Sequence, residues 1–207
     1  MSTIRDIMIF ALLLVLVISG CGQSYNSPQP IPYDPPLVLP PPLTPAQLMD
    51  NFQTVHSEMD ISNYRNMLDD RFLFFFNSGG DFWTREEDLI STDNMFSGEP
   101  RINSDGEPIK AISEIAVDHM MILESWDDVD PAHPFFGSIP GVMHSLYQVR
   151  IVLYHSGGTI TIETNQIFYA APTTTDGVTL WALIGQEDDS GKAAETSSWS
   201  NIKSMFR

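Results

Sequence analysis

The sequence predicts an α+β domain in which N-terminal helices pack on a curved antiparallel sheet and a short helix closes the chain. Two observations carry that prediction. In the first part of the folded segment, Leu48, Phe52, Val55 and Met59 recur at helical spacing, as do Tyr64, Met67 and Leu68 after them. In the second part, three stretches read as a strand meander: His144 to His155, Thr159 to Ala171 and Val178 to Glu187. Gly157-Gly158 joins the first pair of strands, and Asp176-Gly177 lies in the second turn.

The elements follow in order. Thr44-Pro45-Ala46-Gln47 opens the first helix with a capping-box pattern and proline at its first position. Asp60 can cap the second, shorter helix. Arg71 to Phe76, with Phe72, Leu73, Phe74, Phe75 and Phe76 in succession, reads as a buried strand that Gly79-Gly80 ends. Thr84 with Glu87 makes another capping box, and Leu89, Ile90 and Phe96 carry a third helix to Gly98. Ile109 to Leu123 holds one or two strands, and the acidic, proline-broken segment Asp127 to Pro140 is a loop. Ser198 can cap a last short helix carrying Trp199, Ile202, Met205 and Phe206.

Ahead of the domain lie two other regions. Residues 24–43 contain Pro28, Pro30, Pro32, Pro35, Pro36, Pro40, Pro41 and Pro42, a density that forbids helix and favours an extended tether of ~3.1 Å per residue. Residues 7–18 are an almost unbroken apolar run, too short for the ~20 residues of a spanning helix and suited to a signal segment. The run leads to Ile18-Ser19-Gly20-Cys21, which holds the one cysteine of the chain. This arrangement resembles a bacterial lipoprotein signal with its lipobox. The resemblance implies cleavage before Cys21, acyl chains on that residue, and a membrane-anchored protein of the cell envelope. Gly22 rather than aspartate follows the cysteine, which leans toward the outer membrane. Ordinary cleavage or retention of the segment is the alternative. The expected partition is a signal at 1–20, a lipidated cysteine and tether at 21–43, and a domain at 44–207.

With 27 acidic and 10 basic residues the formal charge is −17, and it stays −17 without residues 1–20 because Arg5 and Asp6 leave together. Such a surface repels phosphate backbones, so nucleic acid is not an expected partner. A lone cysteine makes no internal disulfide, and the domain must be held by its core.

The series Leu48, Phe52, Asp60, Tyr64, Leu68 and Phe72, then Trp83-Thr84 and Trp181-Ala182-Leu183, resembles the NTF2-like, SnoaL-like cone-shaped fold over most of residues 44–207. That resemblance implies a curved sheet wrapped round helices, often with a pocket in the cone. The helix after residue 198 is an addition to the usual plan. Enzymes of this superfamily commonly set an aspartate, or a histidine and aspartate pair, inside the cone. No motif assigns that role here, so no catalytic residue is carried over.

Strand alternation offers a candidate pocket lining. With Gly157-Gly158 as a two-residue turn, Leu153 faces Ile162, Ile151 faces Thr164, Val149 faces Gln166 and Tyr147 faces Phe168, all on one side of the sheet. Thr164 and Gln166 are polar intruders on that apolar face. Together with Tyr147 and Trp181 they are the expected pocket residues, and Gln166 otherwise bonds a neighbour inside the core. Among the histidines, His56 falls at the edge of the first helix's buried stripe, and Asp118 and His119 point to opposite faces if their strand alternates. His133, His144 and His155 sit in a loop or on the meander. Phe135-Phe136, flanked by Pro134 and Gly137, is the candidate interaction loop, either as an exposed tip or as a lid on the cone mouth.

No metal or other cofactor is expected. Around Asn103-Ser104-Asp105-Gly106 a calcium-loop frame would put Arg101 and Ile112 at ligand positions, which excludes that motif; a weak irregular calcium site in Asp127–Asp130 is the alternative to a solvated acidic loop. The expected function is therefore a non-catalytic ligand-binding or protein-interaction module. It is anchored to the membrane by lipid, with a small apolar ligand or an envelope protein as partner. The alternatives are a small isomerase, dehydratase or cyclase of the kind this fold hosts, and a purely structural envelope component.

Overall fold

A computed structural model of the chain describes residues 36–76, 81–103, 106–189 and 198–207. Cys21, its apolar run, the first part of the tether and Gly79-Gly80 lie outside the described residues. Leu37–Arg207 forms one compact unit. Among the described residues no helix is long and apolar enough to cross a membrane.

Helix α1 (Pro45–Ser57) starts where expected: Thr44 Oγ1 accepts from Gln47 N at 3.2 Å. The Gln47 side chain accepts from Leu43 N at 2.9 Å instead of completing the box on Thr44. Asp60 caps α2 (Ile61–Met67) by accepting from Asn63 N at 3.0 Å. Strands β1 (Leu68–Phe76) and β2 (Asp81–Thr84) form a hairpin, and α3 (Arg85–Phe96) follows. The Glu87 carboxylate accepts from both Thr84 N and Thr84 Oγ1 at its start. A two-stranded ribbon, β3 (Arg101–Ile102) and β4 (Pro108–Ile109), precedes β5 (Ile112–Ile122). A short β6 (Asp127–Asp128) leads into the long loop before the meander β7 (Met143–His155), β8 (Gly158–Thr175) and β9 (Val178–Asp188). Helix α4 (Trp199–Met205) is capped by Ser198, whose Oγ accepts from Asn201 N at 3.2 Å.

The main sheet runs β2-β1-β9-β8-β7-β5, with β6 also paired to β7. It is the α+β cone expected from the sequence, a curled sheet holding helices on its inner side. One pairing departs from the antiparallel plan: β1 and β9 are parallel. Such a pair needs a long crossover, and here everything from β2 to β8 supplies it. Another difference is the domain edge. Residues 37–43, read as tether, are stitched to the domain: Asn63 Nδ2 donates to Leu37 O, Asn51 Nδ2 to Pro40 O and Trp181 N to Pro42 O, at 3.0, 2.9 and 2.9 Å. Prolines cannot donate, but their carbonyls accept, and two of the three acceptors, Pro40 O and Pro42 O, are of this kind.

The β7–β8 register corrects the reading from sequence. His155 pairs with Gly158, so the turn is Ser156-Gly157 and every partner moves by two: Ile151 opposes Ile162, Val149 opposes Thr164 and Tyr147 opposes Gln166. An even shift preserves the faces. Leu153, Ile151, Ile162 and Phe168 therefore join the inner core as expected, with Arg150 and Glu163 exposed. The second turn, Asp176-Gly177, has φ of 52° and 78°, the left-handed pair that a tight hairpin demands.

Two irregularities aim side chains. In β5 the register slips at Asp118, between Val117 and His119, so Asp118 and His119 do not alternate cleanly and both are exposed. In β9 it slips between Leu183 and Gly185. Leu183 faces the inner core, Ile184 joins the outer one, Gly185 lies under Phe136 on that outer side, and Gln186 faces inward again. The bulge inverts the phase of the strand.

A second core sits on the outer face of the sheet, formed by Phe75, Phe136, Val142, Tyr169, Ala171 and Ile184. Phe136 is 1% exposed and Phe135 38%. The candidate interaction loop, expected as an exposed tip or a lid on the cone mouth, is thus one anchor and one rim residue. The loop folds back on the outside of the sheet, not over the cone mouth. Gly137 allows this turn, since a Cβ there would lie 2.4 Å from Pro131 O.

Candidate functional site

The inner face of the cone carries a polar network that α4 completes. Positions 199, 202, 203 and 206 lie along one helix stripe that faces the core, and Ser200 is buried beside it. Trp199, Ile202 and Phe206 are apolar; the fourth is Lys203, 1% exposed. Met205, also carried by this helix, is 39% exposed. Helix α3 fixes α4 in place. Ser91 Oγ donates to Lys203 O at 2.6 Å and Asn94 Nδ2 to Phe206 O at 2.6 Å, satisfying carbonyls at the helix end.

The Lys203 ammonium forms an ion pair with Asp88, which is fully buried on α3. Tyr64 of α2 donates from its hydroxyl to the other Asp88 oxygen at 2.7 Å, and Lys203 Nζ lies 3.3 Å from the same hydroxyl. The Phe74, Tyr64 and Trp199 rings surround the ammonium at 4.8, 5.5 and 5.6 Å to their centroids. Burial lowers the Lys203 pKa, and the Asp88 charge opposes that shift. Burial, then the Asp88 charge, raises that of Tyr64.

His56 is next to this set and fully buried, not at the edge of its stripe. Its ring contacts Phe52, Tyr64, Phe96 and Trp199. With Nδ1 2.9 Å from Phe52 O, the neutral ring carries its proton on Nδ1 and leaves Nε2 as a bare acceptor. That Nε2 has no partner, and neither has Trp199 Nε1. Burial lowers the His56 pKa to about 3, with Lys203 contributing in the same direction.

A second polar group ties the other end of α4 to the sheet. Asp188 Oδ1 accepts from Thr164 Oγ1 at 2.7 Å; its Oδ2 accepts from Ser200 Oγ and Ser200 N at 2.7 and 3.1 Å. Beside it Gln186 Nε2 donates to Gln166 Oε1, leaving Gln166 Nε2 and Gln186 Oε1 buried without partners. The β9 bulge is what turns Gln186 and Asp188 to this side.

Of the four candidate pocket residues, three are brought together. Tyr147 is opposite Gln166, and Thr164 follows on the same face. Tyr147 accepts a bond from Trp126 Nε1 at 3.2 Å and meets Phe168 edge-on at 5.6 Å. Trp181 is not with them. It pairs with Pro172, six residues along β8 from Gln166, roughly 20 Å away at the strand rise. Sequence reasoning missed Tyr64, Asp88, Gln186, Asp188 and Lys203. Lys203 could have been found as the polar member of an otherwise apolar stripe, and Asp88 as the residue one turn before Thr92 and two before Met95 and Phe96 on the buried face of α3. Asp188 could not be placed without the bulge.

Chemically, this arrangement holds charge. Asp88 is neutralised by Lys203, Asp188 accepts three bonds, and α4 supplies Lys203 to the one and Ser200 to the other. Among the described residues, no group of three or more histidine, cysteine, aspartate or glutamate side chains is gathered as a metal ion needs.

No family model matches the chain, and no curated protein does. Solved structures with a similar shape include a conserved protein from Planctomyces limnophilus. At 10% identity and a TM-score of 0.49, that match covers 69% of this chain and 89% of that one. An NTF2-like protein of unknown function in nutrient uptake from Rhodospirillum rubrum matches at 10% identity and 0.45, covering 69% and 94%. An NTF2-like protein from Cytophaga hutchinsonii matches at 14% and 0.40, covering 70% and 93%.

Proposed function

We propose that this chain is a lipid-anchored protein of the bacterial cell envelope whose cone domain is a non-catalytic binding or interaction module. Its place in the cell rests on Ile18-Ser19-Gly20-Cys21 behind the short apolar run. The non-catalytic part is supported by one observation above the others: Lys203, from the chain's own α4, neutralises Asp88 inside the cone. A general base must be free to take a proton from substrate within hydrogen-bond reach. Here the acid closest to that description is held by an ammonium and a phenol, and α4 occupies the neighbouring space.

Intact-mass measurement of the protein extracted from membranes tests the anchor. The expected species starts at Cys21 and carries added acyl mass. A mature chain starting elsewhere, or a Cys21→Ser protein that stays membrane-bound after processing, refutes it. The enzyme reading retains one observation in its favour, the meeting of Tyr64, Asp88 and His56 inside the cone. Turnover of an enolisable ketone by the protein, abolished in Asp88→Asn with the fold intact, would establish that reading and end the non-catalytic one.

A further inference from the structure

Helix α4 forms one wall of an apolar groove of about 240 Å³. Ile109 of β4, Ile112 of β5 and Ile160 of β8 face Ile202, Met205 and Phe206 across it. Its size is just below the usual range for small-molecule sites, ~300–1,000 Å³, and suits one compact apolar body. The exposed Met205 side chain lies along it.

Its polar rim consists of Lys110 and His155. Both rest against Gly157 in the β7–β8 turn: a Cβ on that glycine would lie 2.0 Å from Lys110 Nζ and 3.2 Å from His155 Cε1. The absence of a side chain at 157 is what lets the ammonium and the imidazole come together. His155 Nδ1 accepts from Gly157 N at 2.9 Å. In the neutral ring the proton is therefore on Nε2, and His155 offers a donor with no change of protonation. Lys110 makes no ion pair among the described residues, and the same holds for Arg65, Arg101 and Arg150. In a chain of formal charge −17, the two polar side chains that line this groove are a cation and an imidazole, and among the described residues no carboxylate lines it. Distant acidic residues are screened beyond ~8 Å at physiological salt, so the rim decides what binds.

We propose that this groove binds a small apolar monocarboxylate, its hydrocarbon body along Ile112, Ile160 and Met205 and its carboxylate held by Lys110 and His155. This deepens the binding-module reading by naming a ligand class. It is independent of the lipid anchor, so a failure of the mass test at Cys21 leaves it standing.

The test uses the full chain with its methionine methyls labelled with ¹³C, titrated with sodium decanoate below its micelle concentration. The Met205 methyl resonance is expected to shift saturably with decanoate and at least tenfold more weakly with decanol or decylamine. Lys110→Glu should weaken decanoate at least tenfold. Arg101→Glu is the control: it makes the same change of charge in the neighbouring hollow that shares Met205 and Phe206, and should alter affinity less than threefold. No saturable shift at Met205 overturns the proposal. So does equal binding of decanol or decylamine, or a Lys110→Glu protein that binds decanoate as tightly as the parent.

Discussion

The two faces of the sheet are built on opposite plans. The inner core is closed by a remote piece of chain that carries charge: Lys203 meets Asp88 across 115 residues. The outer core is closed by a nearby loop that carries rings: Phe136 stacks on His133 and contacts Tyr169, Phe75 and the bare backbone of Gly185. The inner closure depends on a matched pair of ions, the outer on an absent side chain. Each therefore fails differently when one member is changed.

The largest effect is expected inside. Lys203→Ala leaves Asp88 buried without its counter-charge and should cost ~3–5 kcal/mol, read as a lower urea midpoint. Replacing both ions by apolar residues of similar size, Asp88→Leu with Lys203→Met, should recover most of that loss, because the desolvation cost leaves with the charges. A double variant as unstable as Lys203→Ala would show that the pair is not the closing element.

On the outer face, Gly185→Ala places a methyl 2.5 Å from Phe136 Cζ and 3.1 Å from Tyr169 Cδ2. Moving the Phe136 ring should cost ~1–3 kcal/mol. The cost should shrink in a Phe136→Ala background, since the two sites share a contact. Additive losses in that double-mutant cycle would mean that the ring does not rest on the glycine.

Acid separates the faces by sign. Folding lowers the His56 pKa to about 3 from 6.5. Between those values the unfolded chain binds the proton and the folded chain does not, so stability is full above pH 6.5 and falls by about 1.4 kcal/mol per pH unit on descent toward 3. On the outer face Glu187, whose pKa is raised by burial, acts in the opposite direction: the folded state holds its proton longer, which favours folding as pH drops through that range. His56→Phe should flatten the decline in stability between pH 6 and 4. An unchanged slope would assign the acid sensitivity to other groups.

Much of the fold was legible in the sequence because its signals are local. Thr44, Asp60 and Ser198 cap as their residue types require, and Asp176-Gly177 makes its tight turn. The face assignment of Thr164 and Gln166 survived a wrong turn residue because an error of two leaves alternation intact. The inner site was much less legible. Its members come from α2, α3, α4, β8 and β9, and the partners that satisfy one another, Asp88 with Lys203 and Thr164 with Asp188, lie 115 and 24 residues apart. The β9 bulge reverses which residues face inward after Leu183, an event that alternation alone cannot foresee. The place of Phe136 was left open between tip and lid for a related reason: a proline-flanked loop suits either, and the vacancy above Gly185 that seats the ring on the outer face lies 49 residues further on.

The distance between Asp88 and Lys203 also has a meaning in time. As the chain is made from its N-terminus, Asp88 emerges with Tyr64 already available and its cation still to come. The described strands β1 to β9 all precede that cation in the chain. Only when residues 198–207 arrive do Ser91 and Asn94 find their carbonyl partners and Asp88 its ammonium. Residues 198–207 thus bring in one segment both the carbonyls that α3 needs and the charge that balances the cone's interior.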